Sequence, residues 1–190
     1  MKLEKKFFQR ETDTVATELL GNILCTYING IKTGGIIVEV ESYSGFDDPA
    51  NHGKNRKTAR NEVIFREGGY VYVYLNYGIH HLINISTDKR DYPSSVFIRA
   101  IEPVYGIDKM IKRRKTEKLK NLTNGPAKLT KALGIDLSFN GLLIDGEKIF
   151  IEYNENKNFE IVKTTRIGIS KGKDLLKRFY IKDNKYVSVK

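Results

Sequence analysis

Residues 67–86 read EGGYVYVYLNYGIHHLINIS and hold four tyrosines, three of them at strict two-residue spacing. Tyr70, Tyr72 and Tyr74 fall on one face of an extended strand and Val71, Val73 and Leu75 on the other, because successive side chains alternate across a strand. IHHLINIS supplies a second strand, with Ile79, Ile83 and Ile85 on one side and His80, Leu82, Asn84 and Ser86 on the other. Between them Asn76-Tyr77-Gly78 marks a turn, since Asn and Gly tolerate positive φ. The reading is a β-hairpin with Tyr77 at its tip. Strand propensity and packing account for Tyr70, Tyr72 and Tyr74; Tyr77 breaks the spacing and needs another reason.

Upstream, TDTVATELLG reads as a short helix capped by Thr12 or Asp13, with Val15, Ala16, Leu19 and Leu20 inward and Gly21 as its stop. NILCTYI is a strand, Asn29-Gly30 a tight turn, and GGIIVEVESY the next strand. Residues 44–61, SGFDDPANHGKNRKTARN, keep no period and form one long loop. Downstream, SSVFIRAIEP is a strand halted by Pro103, and VYGIDKMIKRRKTEKLK is helical with Ile107, Met110 and Ile111 inward. Its KRRK stretch reads as a solvated helix face, with phosphate contact as the second reading. LTNGPAKLTKALGI is a helix with Thr123 or Asn124 near its cap, Pro126 in its first turn and Gly134 closing it. EKIFIEYN, FEIVKTTRIGIS and RFYIKDNKYVSVK are β-rich. Hairpin signals outnumber strand-helix-strand alternation, so the expected class is α+β: a single compact domain over residues 1–190, with a mainly antiparallel curved sheet, flanking helices and a protruding hairpin.

At 190 residues, 40% hydrophobic and 29% charged, the chain can bury a full core. No apolar run approaches the roughly 18 residues of a membrane helix, and MKLEKKFFQRETD lacks a signal-peptide apolar core. An intracellular, cytoplasmic protein without a membrane partner is expected. Cys25 is the single cysteine and reads as a small buried hydrophobe. His52, His80 and His81 show no zinc-site spacing, so neither metal nor cofactor is expected. The balance of 33 basic to 23 acidic residues gives +10 and favours a polyanion such as nucleic acid; a Lys-, Ile- and Asn-rich composition is the bland source of the same charge.

In GGIIVEVESYSG, Ile36, Val38 and Val40 point one way and Ile37, Glu39, Glu41 and Tyr43 the other. Two glutamates on one face describe either a wet sheet surface or a site, and the strand runs directly into the long loop that carries His52. A partly desolvated carboxylate can take a proton from water. A glycosidase-type pairing of Glu39 with Glu41 is a weaker reading, because side chains two apart on a strand lie side by side rather than flanking a sugar. An aromatic wedge at Tyr77 has an energetic reason. Extruding a base costs a few kcal/mol, and stacking on a base returns roughly 1 to 3 kcal/mol.

GGIIVEVESYSGFDDPANHG, RNEVIF, GGYVYVYLNYGIHHLINIS, VFIRAIEP and LTNGPAKLTKALGI together resemble, in order and spacing, the alkyladenine (3-methyladenine) DNA glycosylases of the mammalian AAG type. The resemblance runs from about residue 12 to the C-terminus and weakens after residue 145. It implies a monofunctional base-excision repair enzyme, acting as a monomer on double-stranded DNA containing damaged purines, that hydrolyses the N-glycosidic bond without cutting the backbone. By the same resemblance Glu41, rather than Glu39, is the general base and Arg99 helps hold the water; Tyr43, His52 and Tyr74 stack on the flipped base, Asn84 screens purines, and Tyr77 intercalates. Arg60, Asn61, Asn124, Gly125 and Lys128 suit DNA-backbone contacts, the last three at a helix N-terminus that favours anions; Gly125-Pro126 is equally a plain helix start. Two departures stand out: the N-terminus lacks the basic extension of some relatives, and Leu75-Asn76 precedes the wedge. The alternative of a different class is a non-catalytic basic nucleic-acid-binding module.

Overall fold

In the structure, a computed structural model that describes residues 1–189, two short helices, α1 (Lys5–Phe8) and α2 (Thr12–Leu19), precede the sheet. The cap of α2 is Glu11, one residue before the expected Thr12 or Asp13. Its carboxylate accepts from the N–H groups of both Asp13 and Thr14, satisfying two of the free amides that a helix start leaves. Val15, Ala16, Leu19 and Leu20 are buried, as helical spacing requires.

The sheet is antiparallel throughout and eight-stranded. β1 (Ile23–Ile28) and β2 (Ile31–Ser44) form a hairpin closed by Asn29 and Gly30, with φ of 50° and 75°, the geometry that a two-residue turn demands. Next come β3 (Val71–Asn76), β4 (His80–Ser86), β5 (Ser94–Tyr105), β6 (Ile149–Glu152), β7 (Ile161–Thr164) and β8 (Arg178–Ile181). Their order is β3-β4-β5-β2-β1-β6, with β8 paired to the second half of β2 and β7 outside β8. β2 is therefore central, and the sheet curls into a half-barrel. Its apolar face packs against α2 and α4 (Pro126–Leu133) around a core that includes Leu19, Val38, Val40, Ile83, Ile98 and Leu129. The class is α+β, as expected.

Further boundaries differ from the sequence reading. β5 does not stop at Pro103 but runs to Tyr105: the register against β2 shifts between Gly34 and Gly35, so the proline, which has no N–H, sits at an irregularity that does not need one. The long basic helix is only α3 (Ile107–Arg114), because Lys115 turns left-handed at φ 53°. Within KRRK, Arg113 and Arg114 turn inward and donate to the carbonyls of Ala132 and Leu122, leaving Lys112 and Lys115 exposed. The cap of α4 is Gly125 rather than Thr123 or Asn124, with Pro126 at the first position and Gly134 left-handed at φ 73° closing the helix. In the third β-rich segment only 178–181 is strand, and in the second only 161–164, so RIGIS lies in a loop.

The pairing of β2 with β5 is irregular at its centre. Ile37 opposes Ile101, Glu39 opposes Ala100 and Val40 opposes Ile98, so first Val38 and then Arg99 are passed over. Such bulges re-aim side chains. Ile37 accordingly joins Val38 and Val40 in the core instead of following the glutamates. Glu39 and Glu41, far from forming a wet surface, are both 0% exposed.

Candidate active site

Glu41 sits in the second half of β2, with β5 on one side and β8 on the other. Its Oε1 accepts from the Ile167 N–H at 2.8 Å and pairs with Arg99 Nη1 at 3.1 Å; its Oε2 accepts from the Tyr43 hydroxyl at 2.7 Å. A carboxylate offers about four acceptor positions, so Glu41 has one unused, on Oε2. Burial, and next the negative charge of Glu41, push the Tyr43 phenol well above its ordinary value, so it stays protonated and donates.

Glu39 is used up. Arg99 Nε at 3.1 Å, Arg178 Nε at 2.8 Å and the Ser188 hydroxyl at 2.9 Å converge on its Oε1, and the Ser188 N–H donates to its Oε2 at 2.7 Å. It holds the other side of the Arg99 guanidinium. Nothing in this arrangement opens a space between the two glutamates for a sugar ring, which removes the geometric basis for a paired-carboxylate glycosidase.

Above Glu41 lies a cavity of about 330 Å³. Tyr43, Arg99 and Ile167, the three partners of Glu41, line it together with Asn84 and Phe97, while Glu41 itself is fully buried behind them and does not line it. Tyr72, the cross-strand neighbour of Asn84, carries the lining on into an aromatic wall: Tyr74 stacks on Tyr72 with ring centroids 5.3 Å apart, and His52 meets Tyr74 edge-on at 4.9 Å. His52 Nδ1 lies 3.3 Å from the Tyr72 hydroxyl. His52 keeps an exposed surface at the cavity rim, yet desolvation, followed by the positive charge of Arg60, lowers its pKa and favours a neutral imidazole. Burial pushes the Tyr74 phenol up to about 12. Asn84 is 5% exposed and its Nδ2 has no hydrogen-bond partner among the described residues, a costly state for a buried donor unless something entering the cavity accepts from it.

Tyr77 stands at the mouth. The hairpin turn runs Asn76 to Ile79, closed by the Ile79 N–H donating to the Asn76 carbonyl at 3.2 Å, with Tyr77 and Gly78 at φ 50° and 71°. The positive φ thus falls on Tyr77 and Gly78, not on Asn76, and Ile79 is in the turn, exposed, rather than on the core face of β4. The Tyr77 side chain is 88% exposed.

The five residues read from the sequence as backbone contacts are placed unevenly. Arg60 is exposed, 5.2 Å above the Tyr74 ring, with one donor on the Leu75 carbonyl. The Asn61 amide is spent inside the loop, donating to the carbonyls of His52 and Arg56 and accepting from the Thr58 N–H. Lys128 donates to the Asn124 side chain at 2.9 Å, beside Gly125 at the start of α4. Tyr72 is buried in a core cluster with Val63, Ile64 and Phe65, as the sequence led one to expect, and it also lines the cavity. Sequence reasoning passed over Ile167, Gly168 and Ile169, which line the cavity, and the Arg166–Asp48 pair behind Tyr43. The available signal was Gly168 between two isoleucines, which suits a loop better than a strand. Among the described residues no group of three or more His, Cys, Asp or Glu side chains could hold a metal ion, and no helix is long and apolar enough to cross a membrane.

Residues 6–185 match the family model for methylpurine-DNA glycosylase. Bacterial relatives carry the name "Putative 3-methyladenine DNA glycosylase". One from Clostridium acetobutylicum is 44% identical over 201 positions, covering all of this chain and 98% of the relative. One from Carboxydothermus hydrogenoformans is 46% identical over 192 positions, with both chains covered completely. A third, from Prosthecochloris aestuarii, is 46% identical over 186 positions, covering 97% of this chain and 89% of the relative.

Proposed function

The chain belongs to the methylpurine-DNA glycosylase family, and from that premise we propose that this DNA repair glycosylase takes a damaged purine into the aromatic cavity and hydrolyses its N-glycosidic bond with a water activated by Glu41. The observation that carries the reading is the contrast between the glutamates: Glu39 takes four donors, from Arg99, Arg178 and Ser188 twice, whereas Glu41 has three partners, Tyr43, Arg99 and Ile167, and all three of them line a cavity of purine-holding size. A water on the free lone pair of Glu41 Oε2 gives its proton to the carboxylate as its oxygen bonds to C1′. The C–N bond breaks with its electron pair going to the purine nitrogen. An alkylated purine is cationic and leaves as a neutral base, so one carboxylate suffices. Arg99 and Tyr43 hold Glu41 from the cavity side, and the aromatic wall supports stacking, strengthened for a cationic base by cation–π attraction.

Tyr77 is the side chain that fills the gap left by the flipped nucleotide, and the lone donor of Asn84 discriminates among purines by what their edge offers it. Arg60, Asn124, Gly125 and Lys128 face the phosphates. Asn61 acts alongside them by shaping the loop. The finer likeness to the mammalian-type alkyladenine enzymes rests on the motifs around Glu41, Tyr77 and Asn84. One domain over residues 1–190, acting as a monomer in the cytoplasm on genomic DNA, completes the reading.

The test is base release from duplex DNA methylated with dimethyl sulfate. Glu41→Gln is expected to bind a duplex with an abasic-site analogue within about threefold of wild type while its single-turnover rate falls by at least two to three orders of magnitude, the scale for loss of a general base. Base release by Glu41→Gln near the wild-type rate would sink the assignment.

A further inference from the structure

We propose that the buried Arg166–Asp48 pair is a positioning device for the catalytic carboxylate, a role that rests on the reading of Glu41 as the base. Arg166 grips Asp48 with both ends of its guanidinium, Nη1 to Oδ2 at 2.5 Å and Nη2 to Oδ1 at 2.7 Å, and the two side chains are 0% and 1% exposed. The same Nη1 donates to the Ser42 carbonyl at 2.9 Å, the backbone link between Glu41 and Tyr43. The guanidinium lies 4.5 Å from the Tyr43 ring centroid. The next residue, Ile167, is the one whose N–H donates to Glu41. One side chain therefore fixes two of the three donors on Glu41, the Tyr43 hydroxyl and the Ile167 amide. The third, Arg99, is held separately by Glu39.

Asp48 anchors this assembly to the loop after β2, accepting from the Ala50 N–H at 3.0 Å. Stability alone is a poor reason for the pair. Two ions removed from water rarely recover their desolvation cost, and Arg166 Nε is buried with no partner among the described residues, a further cost. What the pair supplies is planar, two-pronged geometry at a junction of β2, the 45–61 loop and the loop that follows β7, three segments far apart in sequence. Arginine is specific to that task, because an ammonium cannot hold a carboxylate, a carbonyl and an aromatic face in one plane.

The experiment compares wild type with Asp48→Asn, Arg166→Lys, Tyr43→Phe and the double variant Asp48→Asn/Tyr43→Phe. Two quantities are read for each: the single-turnover rate constant for base release from dimethyl sulfate-treated duplex, and the Kd for a duplex carrying an abasic-site analogue. Rates are taken on the active fraction, fixed by titration with that analogue. The expected result is a rate constant lowered on the order of 10 to 100-fold in both clamp variants, the range for a small misplacement of a catalytic group, with Kd within about threefold. Asp48→Asn should cost clearly less in the Tyr43→Phe background than alone, because both changes act on one donor. Unchanged rate constants with a smaller active fraction, additive losses in the double variant, or failure of both clamp variants to fold would each assign the pair to stability and overturn the proposal. Glu41→Gln separates the two levels: if it stays active, the reading of the base fails; if it is inactive while the clamp variants keep wild-type rates, only the positioning role fails.

Discussion

Two glutamates two residues apart, both fully buried, carry different burdens at Glu39 and Glu41. Glu39 faces Arg99 and Arg178 with a serine closing over it. Glu39→Gln leaves two buried guanidinium groups short of a counter-charge, and breaking a buried pair in this way costs about 3 to 5 kcal/mol. We therefore expect Glu39→Gln to lower the urea unfolding midpoint substantially yet to keep a measurable rate constant in its folded fraction, the reverse of the Glu41→Gln pattern. Loss of base release in a fully folded Glu39→Gln protein would contradict this division. His52 gives a second prediction at the same scale. Its folded pKa lies below the ordinary 6.5, so the unfolded chain binds the extra proton first and stability falls as pH drops below about 6.5. Asp48 acts in the same direction in a lower window. Burial alone would raise its pKa, but the Arg166 hydrogen bonds, the Ala50 and Ser44 N–H groups and the Arg166 charge together outweigh that and hold it below 3.8. Urea midpoints measured between about pH 7 and 5 should decline for wild type and decline less for His52→Gln.

Among the elements, the β3–β4 hairpin shows how far a sequence pattern reaches. Two-residue spacing located both strands and put Tyr77 at the turn, and that is where it lies. The pattern did not say which residue would take positive φ, because Asn and Gly are only the residues that take it at least cost. Here a tyrosine takes it, and it is solvent-exposed, so packing gives little return for the strain. Tyr77→Asn should accordingly leave stability unchanged or raise it by up to about 1 kcal/mol, since a left-handed residue with a bulky side chain costs on that order. It should also reduce base release from duplex DNA far more than from a lesion already unpaired. Equal impairment on both substrates would count against Tyr77 as the wedge. β2 marks the other limit of legibility. Alternation predicted two glutamates and Ile37 on one face, but the irregular pairing at Val38 and Arg99 moved Ile37 into the core and brought Arg99 against both carboxylates. A bulge depends on what the neighbouring strand does, and one strand's sequence does not carry that. The Arg166–Asp48 pair was illegible for the same reason, being 118 positions apart in the chain.

For the molecule as a whole, a net charge of +10 becomes informative only through its placement. Part of the basic complement is occupied: Arg99, Arg166 and Arg178 are buried in ion pairs, and Arg113 and Arg114 serve backbone carbonyls. The loop beside the cavity is different. Lys54, Arg56, Lys57 and Arg60 are all exposed, and no acidic residue lies between them. This rim adjoins the cavity through His52, which lines both the cavity and the neighbouring groove of Arg56 and Arg60. Each phosphate neutralised releases condensed counterions, so log Kobs falls against log salt by about 0.9 per contact on duplex DNA. Neutralising Arg56 and Lys57 together should therefore flatten the salt slope for an abasic-analogue duplex by up to about 2 units. Tyr74→Ala should weaken binding at every salt concentration and leave the slope alone, because stacking displaces no ions. The two effects separate cleanly in one titration series from low to high salt, and a rim variant whose slope matched wild type would move the phosphate path elsewhere on the surface.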